Sequence, residues 1–281
     1  MDNSMLTIAG IQMGCVADPG ANLERALELG RVAVEQGAKV ICFAECFAWP
    51  WFPRQVDQSQ FATAEPVPGP LSETIAAFAR EHQVAVVAPI FERGDDAAYY
   101  NTALVCDADG TLLGRYRKNH IPQLPNYQER FYFQPGNQGF PVFHTRYATI
   151  GIQISWDNFF PEGSRLLALQ GADVIYAPMS ASVVASSAKW ERAIVGSAVY
   201  NGVFVFRVNR IEDEDGLPFY GRSFCVDPNG DFVVEPSGAS EGVILAEIDL
   251  RWVKTVRSIW PFLQDRRPEI YAGLASLAYG G

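Results

Sequence analysis

Short apolar runs alternate with amphipathic segments along the first part of the chain. The apolar runs predict buried strands at residues 6–13, 39–44 and 84–91. Between them, apolar residues recur at helical spacing and predict helices at 22–36 and 71–82. This β-α-β-α-β order predicts a layered α/β fold.

Further strands are predicted at 149–154, 174–177 and 203–208, and further helices at 161–170 and about 188–200. Segments 103–116 and 223–235 each place a turn containing Asp and Gly between β-rich flanks, which predicts two hairpins. No linker or low-complexity block interrupts the chain. Residues 1–281 are therefore predicted to form a single domain, with a C-terminal arm from about residue 250.

Composition excludes several classes of protein. The 281 residues are 48% hydrophobic, which suffices for a substantial core, and the formal net charge is −10. No run of Lys and Arg is present, so neither a nucleic-acid partner nor an anionic membrane surface is expected. No secretory leader or membrane span is visible, and the scattered cysteines favour reduced thiols in a cytoplasmic protein. The dispersed His and Cys residues predict no metal site.

Three polar residues follow predicted strands, where active sites of α/β proteins usually lie. Glu45 follows strand 39–44, and a desolvated carboxylate there could accept a proton. Lys118 follows the first hairpin and could stabilise an oxyanion. Taken singly, a solvated loop glutamate and a solvated lysine are the simpler interpretations.

Ser155 ends the predicted strand 149–154, just before a helix. That order is typical of a nucleophile elbow, in which backbone amides near the turn bind an oxyanion. The chain lacks the G-x-S-x-G signature and has no histidine obviously paired with Ser155, so a Ser-His-Asp hydrolase is poorly supported. A serine that merely ends a strand is the structural alternative.

Together and in this order, these segments resemble the nitrilase superfamily of carbon–nitrogen hydrolases. The segment FAECF carries Glu45, and RKNHIPQLPNYQERFYFQPG carries Lys118 and a second glutamate, Glu129. GIQISWDNFFPEG is similar to the nucleophile segment, except that Ser155 stands where the family has cysteine. NRIEDEDG, FYGRSFCVDPNG and RRPEIYAGL resemble the N-carbamoylputrescine amidase branch in particular.

The resemblance implies a four-layer α-β-β-α sandwich with two pseudosymmetric halves, in a homodimer or higher homo-oligomer. It implies that the nucleophile attacks a carbonyl or nitrile carbon, while Glu45 transfers the proton and Lys118 and the Trp156 amide hold the oxyanion. Glu129 is implied to orient Lys118 or the substrate amide. No metal or organic cofactor is implied.

Serine at position 155 changes the expected chemistry. A thiol with a pKa of about 8.5 yields thiolate readily, whereas a hydroxyl is much harder to ionise beside a lone carboxylate. We therefore expect an inactive or weakened Cys-to-Ser form of the enzyme. An engineered substitution and a natural pseudoenzyme or serine variant are the two explanations, and the intact Glu45, Lys118 and Glu129 favour the first.

The substrate is expected to be a small amide, carbamoyl compound or nitrile. Asp157 after Trp156 is typical of the amidase and carbamoylase branches, although it could simply cap the next helix. Trp51, in AWPWFP, and Tyr127 are assigned to the substrate-binding set, with core packing the alternative for the aromatic segment. A nitrilase and a non-catalytic small-molecule binding protein of the same fold are the competing functions.

Overall fold

The computed structural model of the protein describes residues 4–277. Its strands are β1 (Met5–Gln12), β2 (Val40–Phe43), β3 (Ala85–Arg93), β4 (Tyr99–Cys106), β5 (Leu112–Arg117), β6 (Phe143–His144), β7 (Thr149–Ile152), β8 (Val174–Pro178), β9 (Phe204–Val208), β10 (Ile211–Glu214), β11 (Leu217–Tyr220), β12 (Phe224–Val226), β13 (Phe232–Val234) and β14 (Gly242–Asp249). Its α-helices are α1 (Pro19–Glu35), α2 (Pro70–His82), α3 (Glu129–Tyr132), α4 (Pro161–Leu169), α5 (Ser187–Asn201), α6 (Arg251–Ile259) and α7 (Gly273–Ser276).

The two large sheets have matching topologies. One has the order β14-β1-β2-β3-β4-β5, and the other has the order β13-β12-β9-β8-β7-β6. In the first sheet β1, β2 and β3 are parallel, and in the second β7, β8 and β9 are parallel. Each parallel trio is followed by an antiparallel hairpin, β4–β5 or β12–β13. The two halves therefore repeat one β-α-β-α-β-hairpin pattern.

Three apolar clusters separate four layers. One cluster lies between the sheets and combines Ile8 and Val40 of the first with Val174 and Phe206 of the second. A second joins the first sheet to α1 and α2, and a third joins the second sheet to α4 and α5. Burying each aliphatic or Phe side chain fully stabilises the folded state by about 1.5–3 kcal/mol relative to leaving it exposed. The predicted α-β-β-α sandwich is confirmed.

The sheets pack closely at Gly10 in β1. A Cβ atom at this position would lie 2.7 Å from the Val208 side chain of β9. Any larger residue would therefore push the two sheets apart locally.

The first predicted helix begins earlier than expected. The prediction of 22–36 is wrong at its start, because α1 begins at Pro19. The Asp18 side chain caps the helix by accepting a hydrogen bond from the Gly20 amide at 2.9 Å. Proline suits the first helical position because its fixed φ and missing N–H cost nothing there.

Several elements were not predicted from the sequence. Strand β14 pairs antiparallel with all of β1, from Met5 opposite Asp249 to Gln12 opposite Gly242. The small β10–β11 hairpin and the short edge strand β6 were also not predicted. Beyond β14 the arm contains α6, and residues 260–277 are mostly exposed. The predicted domain limits of 1 and 281 lie outside the described residues. Every helix described is too short or too polar to cross a membrane.

Candidate active site

Three strand ends bring the predicted catalytic residues together. Glu45 lies two residues after β2, Lys118 directly follows β5, and Ser155 lies three residues after β7. The Lys118 ammonium contacts both Glu45 and Glu129. Glu129 and Ser155 line the same cavity. All four residues therefore belong to one site.

Lys118 is a buried ammonium between two carboxylates. Its Nζ donates to Glu45 Oε1 at 2.9 Å and to Glu129 Oε2 at 2.6 Å, and all three side chains are buried. Burial lowers the pKa of Lys118, but the negative charges of Glu129 and Glu45 outweigh it and hold that pKa above its ordinary value. Lys118 is therefore protonated near neutral pH. One of its three N–H donors is not used by the two carboxylates.

Glu129 begins the short helix α3 and has a perturbed pKa. Burial raises the pKa of its carboxyl to about 8. The Lys118 ammonium opposes this rise, and the Glu45 carboxylate adds to it. Burial therefore favours the neutral form of the Glu129 carboxyl, whereas its contact with the Lys118 ammonium favours the charged form.

The two carboxylate oxygens of Glu45 have different surroundings. Oε1 accepts hydrogen bonds from Lys118 Nζ and from Asn101 Nδ2, the latter at 2.8 Å. Oε2 is buried and accepts no hydrogen bond from the described residues. An unpartnered buried carboxylate oxygen is costly in a structural role but can accept a proton from a reacting group. Oε1 of Glu45 is therefore held by Lys118 and Asn101, whereas Oε2 is available to a reacting group.

Ser155 occupies a strained turn. Its φ of +45° is in the left-handed region, which non-glycine residues rarely adopt. Rather than ending the strand, as predicted, it begins the 3₁₀ segment Ser155–Phe159. The Asn158 side chain secures this turn by donating to the Ser155 carbonyl at 2.8 Å. Amides at the start of such a segment, including that of Trp156, precede its internal hydrogen bonds and suit an oxyanion.

A cavity of about 220 Å³ opens at this turn. Glu129 and Ser155 contribute polar groups to its lining. Its larger apolar lining residues are Leu124, Trp156, Phe159 and Trp190. The three aromatic rings pack on one another, with Phe159 and Trp190 centroids 4.1 Å apart. The cavity thus combines a polar catalytic end with an apolar aromatic wall.

Tyr127 and Trp51 occupy different positions relative to this cavity. Tyr127 lines it, and its hydroxyl donates to the Ser180 carbonyl at 2.9 Å. Trp51 is buried behind Tyr127, with the two rings 5.4 Å apart, and its Nε1 donates to the Asn126 carbonyl at 3.0 Å. Trp51 therefore supports Tyr127 rather than lining the cavity, and substrate contact by either residue stays a prediction.

Asp157 is fully buried and bonded to the lysine segment. Its Oδ2 accepts from the Tyr116 hydroxyl at 2.6 Å, and its Oδ1 accepts from the His120 amide at 2.9 Å. These bonds tie the Ser155 turn to the chain on either side of Lys118. The carboxylate does not cap α4, whose N-cap is Phe160. A substrate contact stays a prediction, and the geometry gives Asp157 a positioning role.

Two residues of the site were not predicted to act there. Asn101 in β4 bonds Glu45, and no sequence signal identifies it because the contact depends on sheet pairing. Arg210 is buried and donates through Nη2 to the carbonyls of Glu45, Cys46 and Trp49, each at 3.0 Å. It lies in NRIEDEDG, one of the segments that carry the family resemblance. Among residues 4–277, no cluster of His, Cys, Asp and Glu could hold a metal ion.

Comparison with known proteins gives concordant matches. A family model described as carbon–nitrogen hydrolase matches residues 7–258. N-carbamoylputrescine amidase of Solanum lycopersicum is 38% identical over 290 residues, covering 98% of this chain and 96% of that protein. A nitrilase of Pyrococcus abyssi is 34% identical over 271 residues, covering 95% of this chain and 99% of that protein. The crystal structure of a carbon–nitrogen hydrolase from Helicobacter pylori G27 has a TM-score of 0.92 at 29% identity, covering 96% of this chain and 98% of that one.

Proposed function

The chain belongs to the carbon–nitrogen hydrolase family of the nitrilase superfamily, in its N-carbamoylputrescine amidase-like branch, and we propose on that premise that it hydrolyses an N-carbamoyl amine or an aliphatic amide by acyl transfer to residue 155. The observation that carries the proposal is the buried Glu45–Lys118–Glu129 cluster beside the Ser155 cavity. In it, one carboxylate oxygen and one ammonium N–H are left for a substrate.

In the proposed first half-reaction, the nucleophile of residue 155 attacks the carbonyl carbon. Its proton passes to Glu45 Oε2, the oxygen without a protein partner. The carbonyl oxygen becomes an oxyanion, which accepts hydrogen bonds from Lys118 and from the Trp156 amide. Glu45 then returns the proton to the leaving nitrogen. The carbon–nitrogen bond breaks, ammonia leaves, and an acyl-enzyme remains.

In the second half-reaction, water attacks the acyl-enzyme. Glu45 accepts a proton from the water and returns it to the residue 155 leaving group, which restores the enzyme. An amide yields a carboxylic acid, and an N-carbamoyl amine yields a carbamic acid that breaks down to amine and carbon dioxide. Glu129 holds Lys118 in place throughout, through the 2.6 Å contact.

Ser155 limits the rate of this sequence. A hydroxyl loses its proton far less readily than a thiol, and Glu45 is the base that must remove it. Oxygen for sulfur is a small change in size, so folding and substrate binding are retained. The chain is therefore proposed to be an inactive or weakened Cys-to-Ser form with an otherwise intact site.

Ammonia release tests the proposal. The parent, Ser155→Cys and Ser155→Ala are compared on N-carbamoyl amines, aliphatic amides and nitriles, with thermal melting to verify that each is folded. We expect Ser155→Cys to turn over at least about 100-fold faster than the parent, and Ser155→Ala to be inactive. Folded proteins with no turnover anywhere in the panel would contradict the proposal and favour a non-catalytic small-molecule binding protein.

Nitrile hydrolysis is the second candidate reaction. The similarity to the Pyrococcus abyssi nitrilase favours it, and the same nucleophile, base and oxyanion donors could act on a nitrile carbon. The panel separates the two reactions. A Ser155→Cys protein that releases ammonia from nitriles faster than from carbamoyl compounds and amides would replace the amidase proposal with the nitrilase one.

A further inference from the structure

The chain turns sharply directly after Glu45. Cys46 has a φ of +50°, in the left-handed region that non-glycine residues rarely adopt. Three carbonyl oxygens of this turn lie 3.0 Å from one nitrogen, Nη2 of the buried Arg210, and they belong to Glu45, Cys46 and Trp49. Carbonyl dipoles that bring their negative ends together in a buried site repel one another unless a cation lies among them. Arg210 is the cation that this turn requires.

Glu214 in β10 holds both Arg210 and the far end of the same turn. Its Oε1 accepts from Arg210 Nη1 at 2.5 Å, and its Oε2 accepts from the Trp51 amide at 2.5 Å. Both side chains of this ion pair are buried. The pair therefore bonds to four backbone groups between residues 45 and 51. It also joins the second half of the chain to the turn that follows β2 in the first half.

Glu45 is consequently held at both its side chain and its backbone. The carboxylate is fixed through Oε1, which accepts hydrogen bonds from two side chains. The carbonyl of the same residue accepts from Arg210 and from the Ser180 hydroxyl, the latter at 3.1 Å. Ser180 also lines the Ser155 cavity. The direction of Oε2, the oxygen without a protein partner, therefore depends on the backbone contacts as well as on the carboxylate contacts.

We propose that Arg210, supported by Glu214, is a positioning residue for the general base, and that it holds the turn after β2 so that Oε2 of Glu45 faces the reacting group. This inference rests on the proposed acyl-transfer function, in which Glu45 carries the proton. Arginine suits the position because its planar guanidinium presents separate nitrogens to the carboxylate and to the carbonyls. A lysine ammonium is a single point donor that cannot replace both. Without the guanidinium, the carbonyls separate, the strained turn at Cys46 relaxes, and Glu45 moves.

Two kinds of substrate distinguish a positioning role from a loss of structure. Amide hydrolysis requires Glu45 to return a proton to the leaving nitrogen, whereas p-nitrophenyl acetate releases p-nitrophenolate, which leaves without a proton. A thiol also ionises by itself near its pKa of about 8.5, so acylation of Ser155→Cys by this ester at about pH 9 depends little on Glu45. In the Ser155→Cys protein, Arg210→Lys is expected to lower kcat for the amide or carbamoyl substrate about 10- to 100-fold. KM and the rate of the p-nitrophenolate burst should both stay within about threefold.

A second variant and a matched control complete the series. Glu214→Gln has one acceptor oxygen for two donors, and it is expected to lower the same kcat about tenfold, which keeps the test decisive if Arg210→Lys does not fold. Arg207 is another buried arginine, whose hydrogen bonds go to Met179 and residues 220–222. Arg207→Lys should lower the melting temperature but leave both rates unchanged. Equal falls of the amide and ester rates, or an unchanged amide kcat in Arg210→Lys and Glu214→Gln, would overturn the inference.

The Cys46 thiol reports the order of the turn without any turnover. It is fully buried, as is the thiol of Cys225 in β12. When the Ser155 protein is treated with iodoacetamide and mapped by peptide mass, Arg210→Lys is expected to speed labelling of Cys46 by about tenfold or more and to leave Cys225 protected. That result would support this role of Arg210 even if Ser155→Cys hydrolysed nothing. Unchanged protection of Cys46 would overturn it even if Ser155→Cys were an active hydrolase.

Discussion

Replacing Lys118 with methionine should expose how strongly the two active-site carboxylates depend on it. Lys118→Met keeps a long side chain but removes the ammonium that lies 2.9 Å from Glu45 and 2.6 Å from Glu129. At an effective dielectric constant of about 20, each contact corresponds to about 6 kcal/mol of Coulomb attraction. Burying the charges offsets much of this, and loss of one partner from a buried pair typically costs about 3–5 kcal/mol.

The loss of stability in Lys118→Met should become larger as pH rises. In the parent, burial already raises the pKa of Glu129 to about 8. In the folded Lys118→Met variant, which lacks the ammonium, we expect Glu45 and Glu129 together to bind one more proton than they do in the folded parent. The folded variant then holds more protons than its unfolded chain, so its stability falls as pH rises. One extra proton corresponds to about 1.4 kcal/mol per pH unit. The deficit relative to the parent should therefore be smallest near pH 5 and largest near pH 8.

Urea unfolding of the parent, Lys118→Met and Lys39→Met between pH 5 and 8 measures these quantities. Lys39 is exposed, so its variant controls for the loss of a lysine charge. If Lys118→Met is too unstable at pH 8, adding Glu129→Gln should recover part of the loss, because one carboxylate then remains instead of two. A loss below about 1 kcal/mol, without extra dependence on pH, would refute the argument that Lys118 holds two desolvated carboxylates.

Two further predictions concern residues that position the site. In the Ser155→Cys protein, Asn101→Ala should lower kcat about tenfold with little change in KM, because Glu45 Oε1 loses its 2.8 Å donor and the base is less well oriented. Tyr116→Phe should lower the free energy of unfolding by about 1–3 kcal/mol, measured by urea unfolding, because the buried Asp157 loses its phenol donor.

The Asn101→Ala and Tyr116→Phe predictions each have a matched control variant. Asn229→Ala changes an exposed turn residue and should leave kcat unchanged. Tyr147→Phe removes a hydroxyl that donates to the Gln83 carbonyl at an exposed position, and it should cost less than Tyr116→Phe. An unchanged kcat in Asn101→Ala, or equal costs for the two tyrosine variants, would contradict these assignments.

Much of the fold could be predicted because the parallel strands are short apolar runs that differ clearly from the amphipathic helices. Both hairpins were marked by their Asp- and Gly-containing turns. Strand β14 was not predicted because its burial is uneven and its partner, β1, lies at the other end of the chain. Local sequence carries no signal for such a pairing.

The candidate site could be predicted only in part. Glu45 and Lys118 follow apolar strands, but their 2.9 Å contact depends on how strands distant in sequence are arranged. Glu129 entered through the family resemblance alone. Asn101 and Arg210 were not assigned roles because their partners are distant in sequence. The catalytic roles, the homo-oligomer and the cytoplasmic location stay predictions.

The most direct test of the central claim is the intact mass of the protein during turnover, with peptide mapping of any adduct. For Ser155→Cys mixed with a hydrolysable carbamoyl compound or amide, the account predicts a transient adduct of the acyl fragment on residue 155. It predicts no such adduct for Ser155→Ala. Turnover by Ser155→Cys without any adduct on residue 155, or equal turnover by Ser155→Ala, would contradict acyl transfer through this position.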